Sequence, residues 1–145
     1  MRILLDTNIV LRMANRGAAG SQNITSAIRQ RYARGDEFFV VPQCIYEMWS
    51  VMTRPAEASN GLDFSPEEAA LEVERLLTLI PLLPDPPHLF SRWLNLVSTH
   101  AVSGRPSHDA RIAAAVQAHG LDALLTLNAP HFQRFGLTVL TPTDL

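Results

Sequence analysis

The chain has 145 residues, of which 47% are hydrophobic, and a formal net charge of −2, values that predict one globular domain over residues 1–145 and exclude a disordered chain. The single cysteine, Cys44, excludes an intramolecular disulfide or a cysteine-rich zinc site. With no apolar run of about 18 residues and no basic leader before an apolar core, the sequence favours a cytoplasmic protein without membrane association.

In the first half of the chain, strands and helices are predicted to alternate. The predicted elements are a strand at 2–6, a helix at 7–14, a helix at 22–34, a strand at 38–41 and a helix beginning at Pro42. Gly35 stands where a glycine commonly ends a helix, and proline is favoured in a first helical turn. Residues 54–61 are rich in turn-forming residues and are predicted to be the longest loop.

The second half continues the alternation. The predicted elements are a helix at 66–79 capped by Ser65, a short strand at 80–83, a helix opening at Pro86-Pro87, a helix capped by Ser107 and ended by Gly120, a strand at 123–126, a helical turn at 130–135 and a strand at 137–140. Pro81 restricts the 80–83 strand to an edge. Together these elements predict an α/β fold with three α/β/α layers and a four- to five-stranded, mainly parallel sheet.

Four oxygen-bearing side chains are expected at the edge of this sheet where the carboxyl ends of the strands lie. Asp6 ends the first strand, and Asn128 comes two residues after the 123–126 strand. Glu47 lies in the helix that follows the second strand, and Asp109 lies in the first turn of the helix that begins at Ser107. Carboxyl ends of parallel strands share one edge, where ligands bind in open α/β sheets. Converging carboxylates repel unless they are protonated or neutralised by a cation, and hard oxygen ligands select Mg²⁺ or Mn²⁺. This pattern predicts metal-dependent hydrolysis of a phosphodiester.

Two phosphate-handling alternatives fit the sequence poorly. A haloacid-dehalogenase-like phosphatase or a response receiver also places an Asp at the end of its first strand, but both need a lysine to stabilise the phosphoryl group. All twelve positive residues here are arginines. A P-loop nucleotide enzyme is excluded because the chain has no GK[ST] motif.

The motifs also resemble those of a known family. Taken in order, Asp6-Thr7-Asn8, Tyr46-Glu47, Ser107-His108-Asp109-Ala110 and Leu125-Thr126-Leu127-Asn128 are similar to a PIN domain, more narrowly to a VapC-type toxin of a bacterial toxin–antitoxin pair. This resemblance implies an Mg²⁺- or Mn²⁺-dependent endoribonuclease that acts on RNA, is usually a homodimer and is inhibited by a cognate antitoxin. It also implies that Asp6, Glu47 and Asp109 hold the metal.

One position departs from the family pattern. Many PIN domains carry a fourth acidic residue after the late strand, but here the corresponding positions are Asn128 and His131. An amide oxygen at Asn128 still binds or orients water without adding charge, so Asn128 stays in the predicted catalytic set and catalysis with one ion is expected. The missing acid leaves an alternative open, a catalytically weak PIN-like module that binds RNA or protein.

Further residues are expected to assist this site. Thr7, Asn8, Ser107 and Thr126 are predicted to order the carboxylates or water through hydrogen bonds, and Arg12 and Arg16 are predicted to contact substrate phosphates.

Overall fold

Four short strands form one parallel sheet at the centre of the protein. The computed structural model describes residues 1–58 and 60–145, and within them the strand order is β2-β1-β3-β4. The strands are β1 (Arg2–Leu5), β2 (Glu37–Phe39), β3 (Ala123–Leu125) and β4 (Val139–Leu140). Ile3 of β1 pairs with Phe38 on one side and with Ala123 on the other. The predicted parallel α/β sheet is confirmed, with four strands.

Helices occupy most of the chain between these strands. The α-helices are α1 (Thr7–Ala14), α2 (Ser21–Ala33), α3 (Pro42–Met52), α4 (Pro66–Leu79), α5 (Leu89–Thr99) and α6 (Pro106–Ala118). Three short 3₁₀ turns follow at Ala129–His131, Gln133–Phe135 and Pro142–Asp144. In the part of the chain that the structure describes, no helix combines the length and apolarity needed to cross a membrane.

The sheet separates two hydrophobic clusters. Ile3 and Leu5 of β1 pack with buried residues of α1, α2, α3 and α4, whereas Leu4 packs mainly with α5 and α6. Successive residues of a strand point to opposite faces, so one short strand supplies both clusters. Because both faces of the sheet are covered by helices, the predicted three-layer arrangement is confirmed.

Two predicted features of the second half were wrong in detail. Residues 80–83 do not form a strand and contribute one parallel bridge, between Leu82 and Val40 beside β2. The bridge does not extend because Pro81 has no N–H to donate, although its carbonyl accepts from Val40 N at 3.0 Å. Ser107 does not cap α6, which begins one residue earlier at Pro106, a residue whose fixed φ suits the first helical position.

Two boundaries lie close to their predicted positions. The helix expected to open at Pro86-Pro87 begins at Leu89, after a turn closed by Leu89 N donating to Pro86 O at 3.0 Å. In the predicted 54–61 loop, Ser59 lies outside the described residues. At Gly61 an added Cβ would lie 2.0 Å from the Pro55 carbonyl oxygen, so this turn requires glycine.

Candidate active site

Asp6 lies directly after β1 and uses both of its carboxylate oxygens. Oδ1 accepts from the backbone N of Thr7 at 2.7 Å, so that Asp6 caps α1. Oδ2 accepts from Thr126 Oγ1 at 2.6 Å and from Asn8 Nδ2 at 2.9 Å. An ionised carboxylate has about four lone-pair sites, so these three bonds fix the side chain and leave capacity for a further partner. Asp6 is thus both a helix cap and an acidic group at the sheet edge.

Thr126 and Asn8 join the ends of β1 and β3. Besides donating to Asp6, the Thr126 hydroxyl accepts from Asn8 Nδ2 at 3.1 Å and from the backbone N of Asn128 at 3.0 Å. The Asn8 amide oxygen accepts from Leu127 N at 3.0 Å. Because one hydroxyl offers one donor and two acceptor positions, Thr126 is fully used. These bonds hold the Asp6 carboxylate in one orientation.

Glu47 reaches the same edge from the second turn of α3. Its Oε2 accepts from Thr7 Oγ1 at 2.6 Å, and its Oε1 accepts from Gln43 Nε2 at 2.8 Å. Thr7 therefore contacts both acids, Asp6 through its backbone N and Glu47 through its hydroxyl. The donors bonded to these two carboxylates are all uncharged, so these bonds leave both acidic charges uncompensated.

Asp109 lies in the first turn of α6, as the sequence predicted. Its Oδ2 lies 3.3 Å from Nδ1 of His131, which follows β3 in the first 3₁₀ turn. His131 occupies one of the two positions where the sequence resemblance implied a fourth acid, and here it contacts an acid. The contact is an ion pair only when the His131 imidazole is protonated.

The three acids influence one another electrostatically. Burial is the main reason that the pKa of Asp6 rises from 3.8 to about 6, and the nearby charges of Glu47 and Asp109 raise it further against the bonds from Thr126 and Thr7. Burial also raises the pKa of Asp109, to which Glu47 contributes and which His131 opposes. We call Asp6, Glu47 and Asp109 the acidic cluster.

The acidic cluster suits a hydrated divalent cation better than a closed metal cage. Within residues 1–58 and 60–145, no three His, Cys, Asp or Glu side chains converge tightly enough to surround an ion. Mg²⁺ keeps several waters and commonly binds through one or two carboxylates, so it does not need such a cage. Like charges that raise the pKa of a neighbouring acid are relieved by a cation. The donor set therefore fits Mg²⁺ or Mn²⁺.

The remaining predicted site residues occupy more varied positions. Asn128 is exposed, and its backbone N donates to Thr126 Oγ1. The Ser107 carbonyl accepts from Trp93 Nε1 at 2.8 Å. Arg12 donates to the Ala19 carbonyl at 2.6 Å, and Arg16 forms an ion pair with Glu72 of α4.

Two residues that sequence reasoning missed connect the acidic cluster to α6. Gln43 Nε2 donates to the His108 carbonyl at 2.9 Å as well as to Glu47, and Gln43 Oε1 accepts from Arg111 at 2.9 Å. Arg111 in turn pairs with Asp85 at 2.7 Å. The signal available in the sequence was the four-residue spacing of Gln43 and Glu47, which places both on one helix face.

Known proteins resemble this chain in sequence and in fold. Residues 3–136 match the PIN domain family. Ribonuclease VapC24 of Mycobacterium tuberculosis is 27% identical over 135 residues, which cover 92% of this chain and 91% of that protein. The structure of VapBC2 from Rickettsia felis bound to a promoter DNA fragment matches with a TM-score of 0.72 at 16% identity, covering 97% of this chain and 98% of that one. VapBC-1 from nontypeable Haemophilus influenzae matches with a TM-score of 0.69 at 20% identity, covering 99% of each chain.

The family match and the structural similarity both extend over nearly the whole chain. The resemblance to VapC-type proteins inferred from the motifs is therefore confirmed, and this chain belongs to the PIN-domain family.

Proposed function

We propose that this protein is a metal-dependent endoribonuclease and the toxin of a toxin–antitoxin pair. The observation that carries the proposal is the acidic cluster, three acids distant in sequence whose charges interact at the carboxyl edge of a parallel sheet. Membership of the PIN family and similarity to a protein named as a ribonuclease support RNA as the substrate. In this proposal Asp6, Glu47, Asp109 and Asn128 form the catalytic set.

The first three of these residues would hold a hydrated Mg²⁺ or Mn²⁺, either directly or through the water molecules that the ion retains. When bound, such an ion supplies Lewis-acid stabilisation of phosphate charge and lowers the pKa of water. The chain itself supplies orientation, because Thr126 and Asn8 fix Asp6 and Thr7 fixes Glu47. We assign Asn128 and Ser107 to ordering water or substrate at the rim, where neither adds a negative charge.

Substrate phosphates need positive partners near this edge. Arg12 and Arg16 are our candidates, since both follow the Asp6 motif and a guanidinium binds phosphate through two parallel hydrogen bonds. An RNA phosphate would have to compete with Glu72 for Arg16. We further propose that a cognate antitoxin inhibits the enzyme, that the protein acts as a homodimer and that it works on cytoplasmic RNA.

Replacing the acid at the end of β1 tests the nuclease proposal. Asp6→Asn keeps the size of the side chain and removes its charge, so RNA cleavage should fall by at least about 100-fold and growth arrest on expression should disappear. Circular dichroism should show an unchanged fold. Glu74→Gln is the matched control, because Glu74 is an exposed acid on α4, and it should cleave RNA normally.

The same experiment separates catalysis from binding. If Asp6→Asn and wild type in EDTA both lose cleavage while Asp6→Asn still arrests growth, the protein acts by binding RNA or another protein. If wild type cleaves RNA equally well in EDTA, the metal-dependent mechanism is wrong.

A further inference from the structure

A cavity of about 490 Å³ opens between α5 and α6. Its walls are residues 85–87 and the first two turns of α5 and α6. Phe90 and Trp93 of α5 line it, with ring centroids 5.9 Å apart and planes tilted by 36°. Phe90 is 68% exposed, so most of its ring is accessible to a ligand. We call this feature the aromatic cavity.

Hydrogen bonds connect the aromatic cavity to the acidic cluster. Ser107 and His108 line the cavity and directly precede Asp109, and Trp93 Nε1 is fixed by the Ser107 carbonyl at 2.8 Å. Gln43 bridges the His108 carbonyl and Glu47. One wall of the cavity is therefore hydrogen-bonded through Gln43 to Glu47, and it directly precedes Asp109 in the chain.

The charge of the cavity favours a flat, uncharged occupant. Its one arginine, Arg111, is already paired with Asp85, which also lines the cavity. A phosphate would meet the Asp85 carboxylate and an arginine whose charge is largely balanced. An aromatic base instead gains stacking on Phe90 and Trp93, and the polar groups of Ser107, His108 and Asp85 offer partners for its edge.

The cavity is large enough for this occupant. Ligand pockets in proteins commonly span about 300–1,000 Å³ and combine apolar walls with a few polar groups. Unpaired RNA bases bind proteins in this manner, stacked on aromatic side chains or arginine. We propose that the aromatic cavity binds one unpaired nucleobase of single-stranded RNA next to the phosphodiester that the enzyme cleaves. This inference rests on the proposed function, because it assumes that RNA occupies the neighbouring site.

Removing the Phe90 ring from the protein and removing the bound base from the RNA should weaken binding through the same lost contact. The probe is a short single-stranded oligoribonucleotide and a series in which each position in turn is abasic, with binding measured in EDTA so that metal-dependent cleavage is blocked. Wild type should bind one member of the abasic series about 5- to 150-fold more weakly than intact RNA. Phe90→Ala should bind intact RNA weakly and lose this difference, whereas Phe90→Tyr should keep it.

Tyr32→Ala is the matched control, because Tyr32 of α2 is also 68% exposed and does not line the cavity. A Trp49→Phe background leaves Trp93 as the single tryptophan, so its fluorescence reports directly on the cavity. Intact RNA should quench this emission, and the sensitive abasic RNA should quench it less.

The cavity proposal is overturned if Phe90→Ala binds intact and abasic RNA with the affinities of wild type, or if Trp93 emission does not respond to bound RNA. An equal loss of affinity in Tyr32→Ala would also overturn it. If wild type shows base-dependent quenching but never cleaves RNA with metal present, the proposed nuclease function fails and base binding stands. If wild type and Phe90→Ala both cleave RNA normally and bound RNA does not quench Trp93, the nuclease function stands and the cavity proposal fails.

Discussion

Asp6 combines two roles that place opposite demands on one carboxylate. Its bonds to Thr7 N, Thr126 and Asn8 favour the ionised form, but burial and the charges of Glu47 and Asp109 disfavour it more strongly, so its pKa rises to about 6. Burial without a positive partner is costly for stability, and such groups are common at functional sites. The residue is best explained as a structural cap held in a geometry that a cation would complete.

Gln43 is a positioning residue, because it touches Glu47 and would not touch the substrate. Gln43→Ala removes the donor to Glu47 Oε1 and to the His108 carbonyl, which should free the Glu47 side chain to rotate. We expect RNA cleavage to fall by about 10- to 100-fold, with a matching rise in the Mg²⁺ concentration needed for half-maximal rate. Cleavage rates measured across a Mg²⁺ titration test this expectation.

A matched glutamine distinguishes positioning from general loss of packing. Gln117 of α6 also donates to a carbonyl, that of Phe135 at 3.3 Å, but it makes no bond to the acidic cluster. Gln117→Ala should leave the Mg²⁺ requirement unchanged. If both variants shift that requirement equally, or if Gln43→Ala lowers the rate without shifting it, Gln43 does not act through Glu47.

At the scale of elements, α4 illustrates how local sequence fixes a helix start. Ser65 Oγ accepts from Glu68 N at 3.1 Å while Glu68 Oε2 accepts from Ser65 N at 2.8 Å, forming a capping box ahead of Pro66. Ser65→Ala should lower the free energy of unfolding by about 1 kcal/mol, seen as a lower urea midpoint with an unchanged slope. RNA cleavage should not change.

Ser98→Ala provides the control for this element. Ser98 is exposed in α5, and its hydroxyl donates to the Leu94 carbonyl of its own helix, which already accepts within the helix. Its removal should change the free energy of unfolding by less than about 0.5 kcal/mol. Equal losses in the two variants would contradict a specific role for the Ser65 cap.

Sequence patterns predicted the elements that depend on neighbouring residues better than the contacts between distant ones. Buried runs such as Ile3-Leu4-Leu5, and signals such as Ser65-Pro66, depend on neighbours in the chain, and they predicted strands and helices well. Leu82 depends on a partner 42 positions away, Val40, and periodicity does not reveal whether such a pairing extends beyond one bridge. Gln43 was missed for the same reason, since its bonds to His108 and Arg111 exist only after α3 packs near α6.

For the whole molecule, the arrangement of the sheet explains why the acids meet. β1 and β3 are central neighbours, so Asp6 and Thr126 follow adjacent strands. Thr126 Oγ1 lies 2.6 Å from Asp6 Oδ2 although the two residues are 120 positions apart in the sequence. Helices packed on both faces bring Glu47 and Asp109 to the same edge from α3 and α6. The two hydrophobic clusters support these helices, because α6 packs in one cluster and α3 contributes residues to both.

This concentration of acids should link stability, pH and metal. Because the pKa of Asp6 is higher in the folded protein than its ordinary 3.8, the folded state retains a proton that the unfolded state has lost between about pH 4 and pH 6. The contribution of Asp6 to the free energy of unfolding therefore decreases as pH rises through this window. At about 1.4 kcal/mol per pKa unit, the loss reaches roughly 3 kcal/mol above pH 6 in metal-free protein.

Mg²⁺ should restore stability where Asp6 is ionised. At about pH 7.5, saturating Mg²⁺ should raise the melting temperature of wild type, by an amount equivalent to about 2.7 kcal/mol at 100-fold excess over Kd. At about pH 5 the increase should be much smaller, because protons compete for the same carboxylate. Asp6→Asn should show no increase at either pH, while the surface variant Glu74→Gln should behave as wild type. A rise in melting temperature of equal size at both pH values, or its persistence in Asp6→Asn, would mean that the ion binds elsewhere on the protein.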